Sequence, residues 1–383
     1  TTYNSIAVSV TANDGQSGLA TSNTYKYYLN GALKDTLTTN SYTFTGLTAE
    51  TQYTIKVEAY DKANNAGSDT TNAKTEKEPE LFSDIYTSTK QYTDSEGNTA
   101  WIPRGFAVGT SNTINKISDG LVITDAIDGN HESTGNQFVW IPVPDYTTMY
   151  GTGTYTLCGV TTQTSVYSKL RQRSGDSYTV TTPGKSGSSQ IREPDLVTKY
   201  DTSSTYYSIL ASSAKAMADD MVAEYTATYN SIKKYKGFYI GRYELTGTVS
   251  SPTVKKGQTV LSADIAGNWY YLKKACTNIV SSSYAQSTMV YGNQWDEIMS
   301  WLVSSGGKTS SEVNTNSSSW GNYSNSTGAA ATNSGSKQTS GKNEAWKANN
   351  IYDLAGNCIE WTQEAYSTYS RIGRGRLLLL FRF

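Results

Sequence analysis

Histidine and cysteine are scarce in this chain of 383 residues, and the two shortages exclude several kinds of site. His131 is the single histidine, so an iron centre with two or three histidine ligands cannot be built. A Ser-His-Asp relay would have to use the same residue, and no nearby motif supplies its partners. Cys158, Cys276 and Cys358 form no C-x-x-C pair, which argues against a zinc ribbon and a disulfide scaffold. One bridge with one free thiol stays open, and the sequence does not choose the pair.

Charged residues are also scarce, at 17% of the chain, below the usual quarter. The 32 basic and 33 acidic side chains leave a net charge of −1, so electrostatics does not favour nucleic acid or an anionic membrane as a partner. No hydrophobic run approaches the roughly eighteen residues that a membrane-spanning helix needs. We therefore expect no nucleic-acid binding and no membrane insertion.

Serine, threonine, asparagine, glycine and 30 tyrosines take the place of the missing charges. This composition suits β-structure with long polar loops, and it is also typical of binding surfaces. The chain begins with Thr1 and has no recognisable signal peptide, so we expect a fragment or a processed form. A polar extracellular β-rich protein and a dedicated binding surface both fit these features.

Residues 1–76 carry the alternation of β-strands, for example at residues 25–29 before an Asn-Gly turn. In the segment GLTAETQYTIKVEAYDKANNAG, residues 46–67, Leu47 and Tyr53 frame the turn into an alternating strand. This arrangement resembles the tyrosine corner of a fibronectin type III domain. The resemblance implies a β-sandwich of a kind commonly used as a spacer or an adhesive module.

The stretch KTEKEPE at residues 74–80 is charged, contains proline and lacks aliphatic residues, which indicates a linker. We assign residues 77–101 to linker and lead-in, and residues 102–383 to a second domain. Polar insertions are expected at about residues 151–204, as a long excursion, and at about 304–343, as a surface loop or a disordered segment.

Two helices are predicted in the second domain, over residues 208–234 and 295–303. The methionine-led stripe of the first helix is interpreted as core packing. The apolar strand FVWIPV at residues 138–143 should be buried on both faces, and its proline places it near a sheet edge or a strand end. A further strand is expected at residues 237–244. The predicted core-facing residues of the helices are Met217, Met221, Tyr225, Ile232, Trp295, Ile298, Met299 and Leu302.

The stretch NIYDLAGNCIEWTQEA at residues 350–365 contains the candidate metal site. Its AGN turn exposes backbone carbonyls, and the nearby side chains offer the all-oxygen ligation that calcium prefers. Asx turns use the same residues without a metal, so the bare turn is the alternative. The candidate Ca²⁺ ligands are Asn350, Asp353, Asn357 and Glu360.

Acid–base and nucleophilic chemistry has little support in the remaining residues. Glu360 and Glu364 lie four apart and Asp296 precedes Glu297, but nothing in the sequence makes two carboxyls converge across a cleft. Cys358 has no evident activating base, so a buried small residue is expected there. The residues favour a non-catalytic protein, and an enzymatic role stays open.

Four ordered stretches resemble the sulfatase-modifying-factor family, which has the formylglycine-generating enzyme fold. NNIYDLAGNCIEWTQEA is similar to that family's NxYDMxGNVWEW signature. QFVWIPVPDY, GFYIGRYELTG and MVYGNQWDEIMSWL are similar to its opening strand, its F-Y-M-G-x-Y-E-V-T strand and its R-L-P-T-E-A-E-W-E helix. Together they cover about residues 102–383. The resemblance implies an α+β, irregular C-type-lectin-like domain with frequent calcium, behind an all-β sandwich, and it implies that Asn357 and Glu360 ligate calcium or organise the loop.

The chain departs from this family at its end. The generating enzymes use a pair of cysteines after an R-G-G-S-W-like strand, whereas here the run starts with Arg371, Arg374 and Gly375 and then breaks into Arg376 and four leucines. We expect a frameshift or truncation in the source sequence, which the adjacent frame of the parent nucleotide sequence would test. Cys358 falls where the family usually has valine, so copper-dependent oxidation of a substrate cysteine has little support.

The same fold also serves as a display scaffold, including in the variable proteins that diversity-generating retroelements mutate near their C-termini. In such proteins the variable face follows the E-W-T element, here around Tyr366, Tyr369, Arg371 and Ile372. Tyrosine and arginine suit recognition, and ordinary exposed side chains are the alternative.

These features lead us to expect an extracellular ligand-binding or adhesion protein at a cell surface or on a phage virion. Its partner would be a surface protein or a glycan that the sequence does not identify. A truncated oxidoreductase of the formylglycine-generating type is one alternative. A structural phage-tail or cell-wall component is the other.

Overall fold

The computed structural model of the chain describes most of its residues. The described residues are 1–153, 156–157, 160–161, 165–168, 170–171, 178–179, 206–261, 268–367 and 370–374. Much of the excursion predicted at 151–204, including Cys158, therefore lies outside them. The chain divides into two compact units, Thr1–Glu80 and Leu81–Phe383, with the boundary inside the stretch predicted as linker and lead-in. The architecture is mixed and strand-rich, with few helices and several sheets.

The first unit contains two antiparallel sheets, one of strands β1 and β4 and one ordered β3-β2-β5-β6. Both sheets contribute to one core, which includes Tyr27, Phe44 and Ile55. The hydroxyl of Tyr53 accepts a hydrogen bond of 2.9 Å from the backbone N–H of Thr48 and so closes the turn into β5. The strands are β1 Ser5–Ser9, β2 Tyr25–Leu29, β3 Ala32–Leu37, β4 Ser41–Thr45, β5 Gln52–Tyr60 and β6 Ala66–Lys74.

The second unit is built around a four-stranded antiparallel sheet ordered β18-β11-β10-β9. The predicted strand at 138–143 is confirmed as β11, whose residues Phe138 to Ile141 are all buried. Pro142 ends this interior strand, so it marks a strand end and not a sheet edge. The first strands of the unit are β7 Lys90–Thr93, β8 Thr99–Ile102, β9 Ala107–Val108, β10 Val122–Thr124 and β11 Gln137–Pro142. Short hairpin strands follow: β12 Tyr150–Gly153, β13 Thr156–Leu157, β14 Val160–Thr161, β15 Ser165–Ser168, β16 Leu170–Arg171 and β17 Tyr178–Thr179.

Both predicted helices are confirmed, with shifted ends. The first begins at Ala214, six residues later than predicted, because the side chain of Ser213 caps it by accepting from the N–H of Ala216. All predicted core residues of the two helices are buried except Met299, which is half-buried. The elements from here on are α1 Ala214–Tyr235, β18 Gly237–Gly241, β19 Thr246–Gly247, β20 Pro252–Thr253, α2 Asn268–Ile279, α3 Gly292–Ser304, α4 Ser310–Asn314, β21 Lys347–Ala348, β22 Ile351–Tyr352, β23 Glu360–Ser367 and β24 Ser370–Arg374.

The polar stretch at residues 304–343 forms an ordered loop, which is one of the two alternatives that the sequence left open. Its short helix α4 starts with a capping box between Thr309 and Glu312. Trp320 and Tyr323 are buried in the core that also contains residues of α3. Within the described residues, no helix combines the length and apolar character needed to cross a membrane.

Candidate functional site

The stretch at residues 350–365 lies against the end of β18, where the N–H of Tyr352 donates to the carbonyl of Arg242 at 2.9 Å. Leu354 and Ala355 join the core that includes Val139 of β11. The stretch is irregular because several of its residues adopt the left-handed conformation, which asparagine, aspartate and glycine tolerate best. These residues are Asn350, Asp353, Gly356 and Asn357.

Asn350, the first of the four predicted calcium ligands, acts as a loop organiser. Its side-chain nitrogen donates to the carbonyls of Thr113, Asp119 and Gly120 at 2.8, 3.1 and 2.9 Å. The amide therefore fastens the stretch to the loop before β10. These hydrogen bonds fix the orientation of the Asn350 side chain.

Asn357 uses both ends of its side chain within the protein. The oxygen accepts from the side chain of Asn322 at 2.9 Å and from the N–H of Gln338 at 2.8 Å. The nitrogen donates to the carboxyl of Glu244, and Glu244 also accepts from the N–H of Cys358 at 3.1 Å. Glu244 thereby joins the site, although the sequence had not singled it out.

Asp353 and Glu360 present free carboxyl oxygens to the interior. Asp353 is fully buried, and its Oδ2 accepts from the N–H of Gly341 at 2.7 Å while its Oδ1 has no hydrogen-bond partner. The Oε2 atom of Glu360 is also buried without a hydrogen-bond partner. Each such oxygen is a place where a proton or a cation would be stabilised.

Glu244, Asp353 and Glu360 form a cluster that we call the carboxyl trio, and all three bind protons more tightly than usual. Burial raises the pKa of Asp353 from 3.8 to about 6. Burial, followed by the charge of Asp353, raises the pKa of Glu244 well above its usual range, and burial and Glu244 do the same for Glu360. Within the described part of the chain, no lysine or arginine forms an ion pair with the trio.

The predicted calcium ligands fit the ion in part. Asp353 and Glu360 each offer an unpartnered buried oxygen. The side-chain oxygen of Asn357 instead accepts two protein hydrogen bonds, which leaves Asp353 and Glu360 as the ligands best placed for the ion. Calcium takes six to eight oxygens, so these two residues would supply only part of its shell. Among the residues that the structure describes, no three acidic, histidine or cysteine side chains form a group suited to a metal.

The predicted ligand-binding residues belong to the hairpin of β23 and β24. The backbone of Tyr366 lies in β23, and Arg371 and Ile372 lie in β24. The side chains of these three residues, and Tyr369 entirely, fall outside what the structure describes. The two strands pair antiparallel, from Glu360 opposite Arg374 at the base.

A buried ion network fastens the base of this hairpin to α3. The Nε of Arg374 donates to Glu364 at 2.8 Å, and its Nη1 lies 3.7 Å from the carboxyl of Asp296. Gly292 opens α3 directly against Glu364, because a Cβ atom at this position would overlap the carboxyl group. Glu364 and Asp296, which lie far apart in the sequence, therefore both contact Arg374.

A second polar centre surrounds Glu224 of α1. One carboxyl oxygen of Glu224 accepts from Lys273 at 2.9 Å, and Lys273 is only 4% exposed. Burial opposes ionisation of Glu224, but the charge of Lys273 and the hydrogen bonds outweigh it and lower the pKa. The same oxygen also accepts from Thr288, Tyr291 and Gln363, at 2.7, 2.7 and 2.9 Å.

Cys276 and Cys358 are free thiols. Burial raises the pKa of Cys276 to about 12. Burial, together with the nearby charges of Glu244 and Glu360, also raises the pKa of Cys358. Both therefore stay protonated at neutral pH, which makes them poor nucleophiles.

A cavity of about 1060 Å³ lies between α1, α2, β18 and the stretch at residues 351–361. It is slightly larger than the roughly 300–1,000 Å³ typical of small-molecule sites. Glu224, Glu244 and Glu360 contribute to its walls, together with many aromatic and aliphatic side chains. Two members of the carboxyl trio, Glu244 and Glu360, thus line the same cavity as the Glu224 centre.

Comparison with known proteins leaves the chain without an assigned family. No protein-family model matches it, and no curated protein matches it. A chitinase, ChiA74 from Bacillus thuringiensis, is a solved structure to which it has 18% sequence identity and a TM-score of 0.18. That match covers 43% of this chain and 21% of the chitinase chain, and a TM-score this low supports no inference about fold or function.

Proposed function

We propose that the chain is an extracellular ligand-binding or adhesion protein. In this proposal a fibronectin type III sandwich carries a non-catalytic, C-type-lectin-like domain of the sulfatase-modifying-factor type. The observation that carries the proposal is the anchored hairpin of β23 and β24. Its base is fixed by Arg374 between Glu364 and Asp296, and a fixed base is what a binding site built on a hairpin needs.

Two further observations support the fold assignments within this proposal. In the first unit, the Tyr53 hydroxyl bonds the backbone five residues upstream, as a tyrosine corner does. In the second unit, the four stretches that resemble the lectin-like family pack together: one core contains Val139, Phe238, Ile298 and Leu354. The stretches are remote in sequence, and their assembly is what a shared fold requires.

The state of the polar residues supports a scaffold in preference to an enzyme. The side-chain amide of Asn350 donates to loop carbonyls. The side-chain amide of Asn357 accepts from a backbone N–H group and donates to Glu244. The thiols of Cys276 and Cys358 are held protonated. A cysteine-based oxidation would need thiols with the opposite property. Calcium stays part of the proposal. Asp353 and Glu360 would hold the ion, and the bound ion would stabilise the domain.

Binding measurements with hairpin variants test the proposal. We expect the full chain to bind members of an array of bacterial surface polysaccharides and surface proteins. The double substitution Tyr366→Ala with Arg371→Ala should weaken that binding at least about tenfold, because tyrosine and arginine supply most recognition energy at such faces. Surface plasmon resonance would give the dissociation constants.

Tyr3→Ala is the matched control, since Tyr3 is an exposed tyrosine of the first unit, and it should leave the dissociation constants unchanged. Binding that survives the double substitution would contradict the role of the hairpin. Oxygen uptake with copper and a cysteine-containing peptide would instead favour the oxidoreductase alternative. Failure to bind any member of the array would favour a structural component.

A further inference from the structure

The acidic and basic side chains that line the cavity of the second unit are of one kind. The charged side chains among its described lining residues are all acidic, namely Asp220, Glu224, Glu244 and Glu360. Glu224 is neutralised by Lys273. Glu244 and Glu360 have no such partner among the described residues, and the Oε2 of Glu360 is buried with no hydrogen bond. The wall near the carboxyl trio is therefore suited to a positive charge.

One residue of the cavity lining also has a hydrogen-bond donor without an acceptor. Trp140 lines it, is only 2% exposed, and its Nε1–H has no hydrogen-bond partner. Its ring is fixed by an edge contact with Tyr239 at 5.0 Å between centroids and by close packing on Gly237. A buried indole N–H normally bonds an acceptor, so a matching ligand would bring an oxygen atom.

Aromatic rings make up much of the remaining wall. Ring faces attract organic cations, and they also pack against the apolar faces of ring-shaped ligands. This lining suits a compact organic molecule better than a bare metal ion. The aromatic lining residues are Trp101, Phe106, Phe138, Trp140, Tyr235, Phe238, Tyr239, Tyr243, Tyr284, Trp295, Tyr352 and Trp361.

Exposed lining residues show where the cavity meets solvent. Asp220 and Ser231 of α1 are exposed on one side, and residues 281–284 are exposed on the other. Tyr284 in that turn is 52% exposed and lies under the guanidinium of Arg104, 4.6 Å from the ring centroid. The lining of the cavity therefore reaches the protein surface at α1 and at this turn.

These features select among ligand classes. An anion would face the carboxyls of Glu244 and Glu360 without a basic lining residue among those described. A purely apolar molecule would offer no hydrogen-bond partner to Trp140 or Glu360. We propose that this cavity binds a hydroxylated organic ammonium, such as an amino sugar or an amino alcohol, with the ammonium at Glu244 and Glu360 and an oxygen at Trp140. This binding does not depend on the proposed function of the hairpin.

Calorimetry on the full chain in the presence of EDTA would test the proposal with matched probes. The glucosamine dimer is cationic, and the N-acetylglucosamine dimer has the same rings without the charge. Choline represents the amino alcohols. We expect the cationic dimer or choline to bind, and we expect the N-acetylated dimer to bind at least about tenfold more weakly. The substitutions Glu360→Gln and Trp140→Phe should each weaken binding of the cationic probe by about tenfold.

Controls separate this site from its surroundings. Asp219→Asn changes an exposed acid of α1 that does not line the cavity, and it should leave binding unchanged, as should the hairpin double substitution Tyr366→Ala with Arg371→Ala. Binding of the glucosamine dimer alone would identify an amino-sugar site, and binding of choline alone an amino-alcohol site. Equal binding of the two dimers, or no binding of any ammonium probe to the folded chain, would overturn the proposal.

Discussion

Replacing Glu224 by glutamine is expected to lower the free energy of unfolding of the second unit by about 3–5 kcal/mol. The substitution keeps the size of the side chain and removes the negative charge that Lys273 depends on. Lys273 is 4% exposed and would then hold an uncompensated charge in the interior. Urea denaturation at pH 7.5, followed by tryptophan fluorescence, would measure the loss.

The pH dependence of this contribution has a defined sign. The pKa of Glu224 is lowered in the folded protein, so its stabilisation is present above the unfolded pKa and is lost as the pH falls through the folded value. Wild type and Glu224→Gln should therefore converge in stability at acidic pH. Parallel curves across the whole range would mean that the effect comes from packing and not from charge.

Two further variants isolate the ion pair. Asp220→Asn neutralises an exposed acid on the same helix and should change stability by no more than about 0.5 kcal/mol. The double variant Glu224→Gln with Lys273→Met removes both charges and should recover much of the loss, because no buried ammonium remains. A Glu224→Gln protein as stable as wild type would show that Lys273 finds its stabilisation elsewhere.

The local patterns in the sequence predicted the elements whose periodicity is uninterrupted. The helical spacing of Met217, Met221 and Tyr225 located α1, and the apolar run at residues 138–143 located β11. Helix α2 was missed, because its aromatic residues Trp269 and Tyr270 are adjacent and produce no clear helical period. Its Lys273 was missed with it, although this residue neutralises Glu224.

The candidate site was predictable only where its residues are close in sequence. Asn350 and Asn357 were singled out because an Asx-rich turn is visible locally, and the structure shows how their amides hold that turn. Glu244 joins the site across 113 residues, through the nitrogen of Asn357. No local spacing encodes such a contact, since it arises when β18 is placed beside the stretch at residues 350–365.

Substitution of Asp353 by asparagine is expected to stabilise the protein at pH 7.5 by up to about 3 kcal/mol. A pKa raised from 3.8 to about 6 corresponds to that cost for an ionised carboxyl above pH 6. Asparagine keeps the shape, retains an acceptor for the N–H of Gly341, and tolerates the left-handed backbone at φ 63°. Thermal unfolding in EDTA at pH 7.5 and pH 5 would measure the gain, which should shrink at pH 5 because the wild-type carboxyl is then protonated.

Glu344→Gln is the control with the opposite expected sign. Burial opposes ionisation of Glu344, but hydrogen bonds from Lys256 and Tyr352 and the charge of Lys347 outweigh it and lower the pKa. Because the Glu344 side chain is 49% exposed, the loss should be only about 1 kcal/mol. The two variants separate an acid that lacks a counter-charge from one that has several. Equal stability of Asp353→Asn and wild type at both pH values would mean that the trio is already neutralised.

Neutralisation of the trio can come from a proton, from calcium or from an organic ammonium, and the Asp353→Asn protein distinguishes among them. A calcium ion held by Asp353 and Glu360 should raise the melting temperature of wild type at pH 7.5 and lose most of that effect in the variant. An ammonium at Glu244 and Glu360 needs no ligand atom from Asp353, so its binding should survive the substitution. Asp353 is buried and does not line the cavity, whereas Glu360 does. The Asp353→Asn variant can therefore distinguish calcium binding, which would use Asp353, from ammonium binding, which would not.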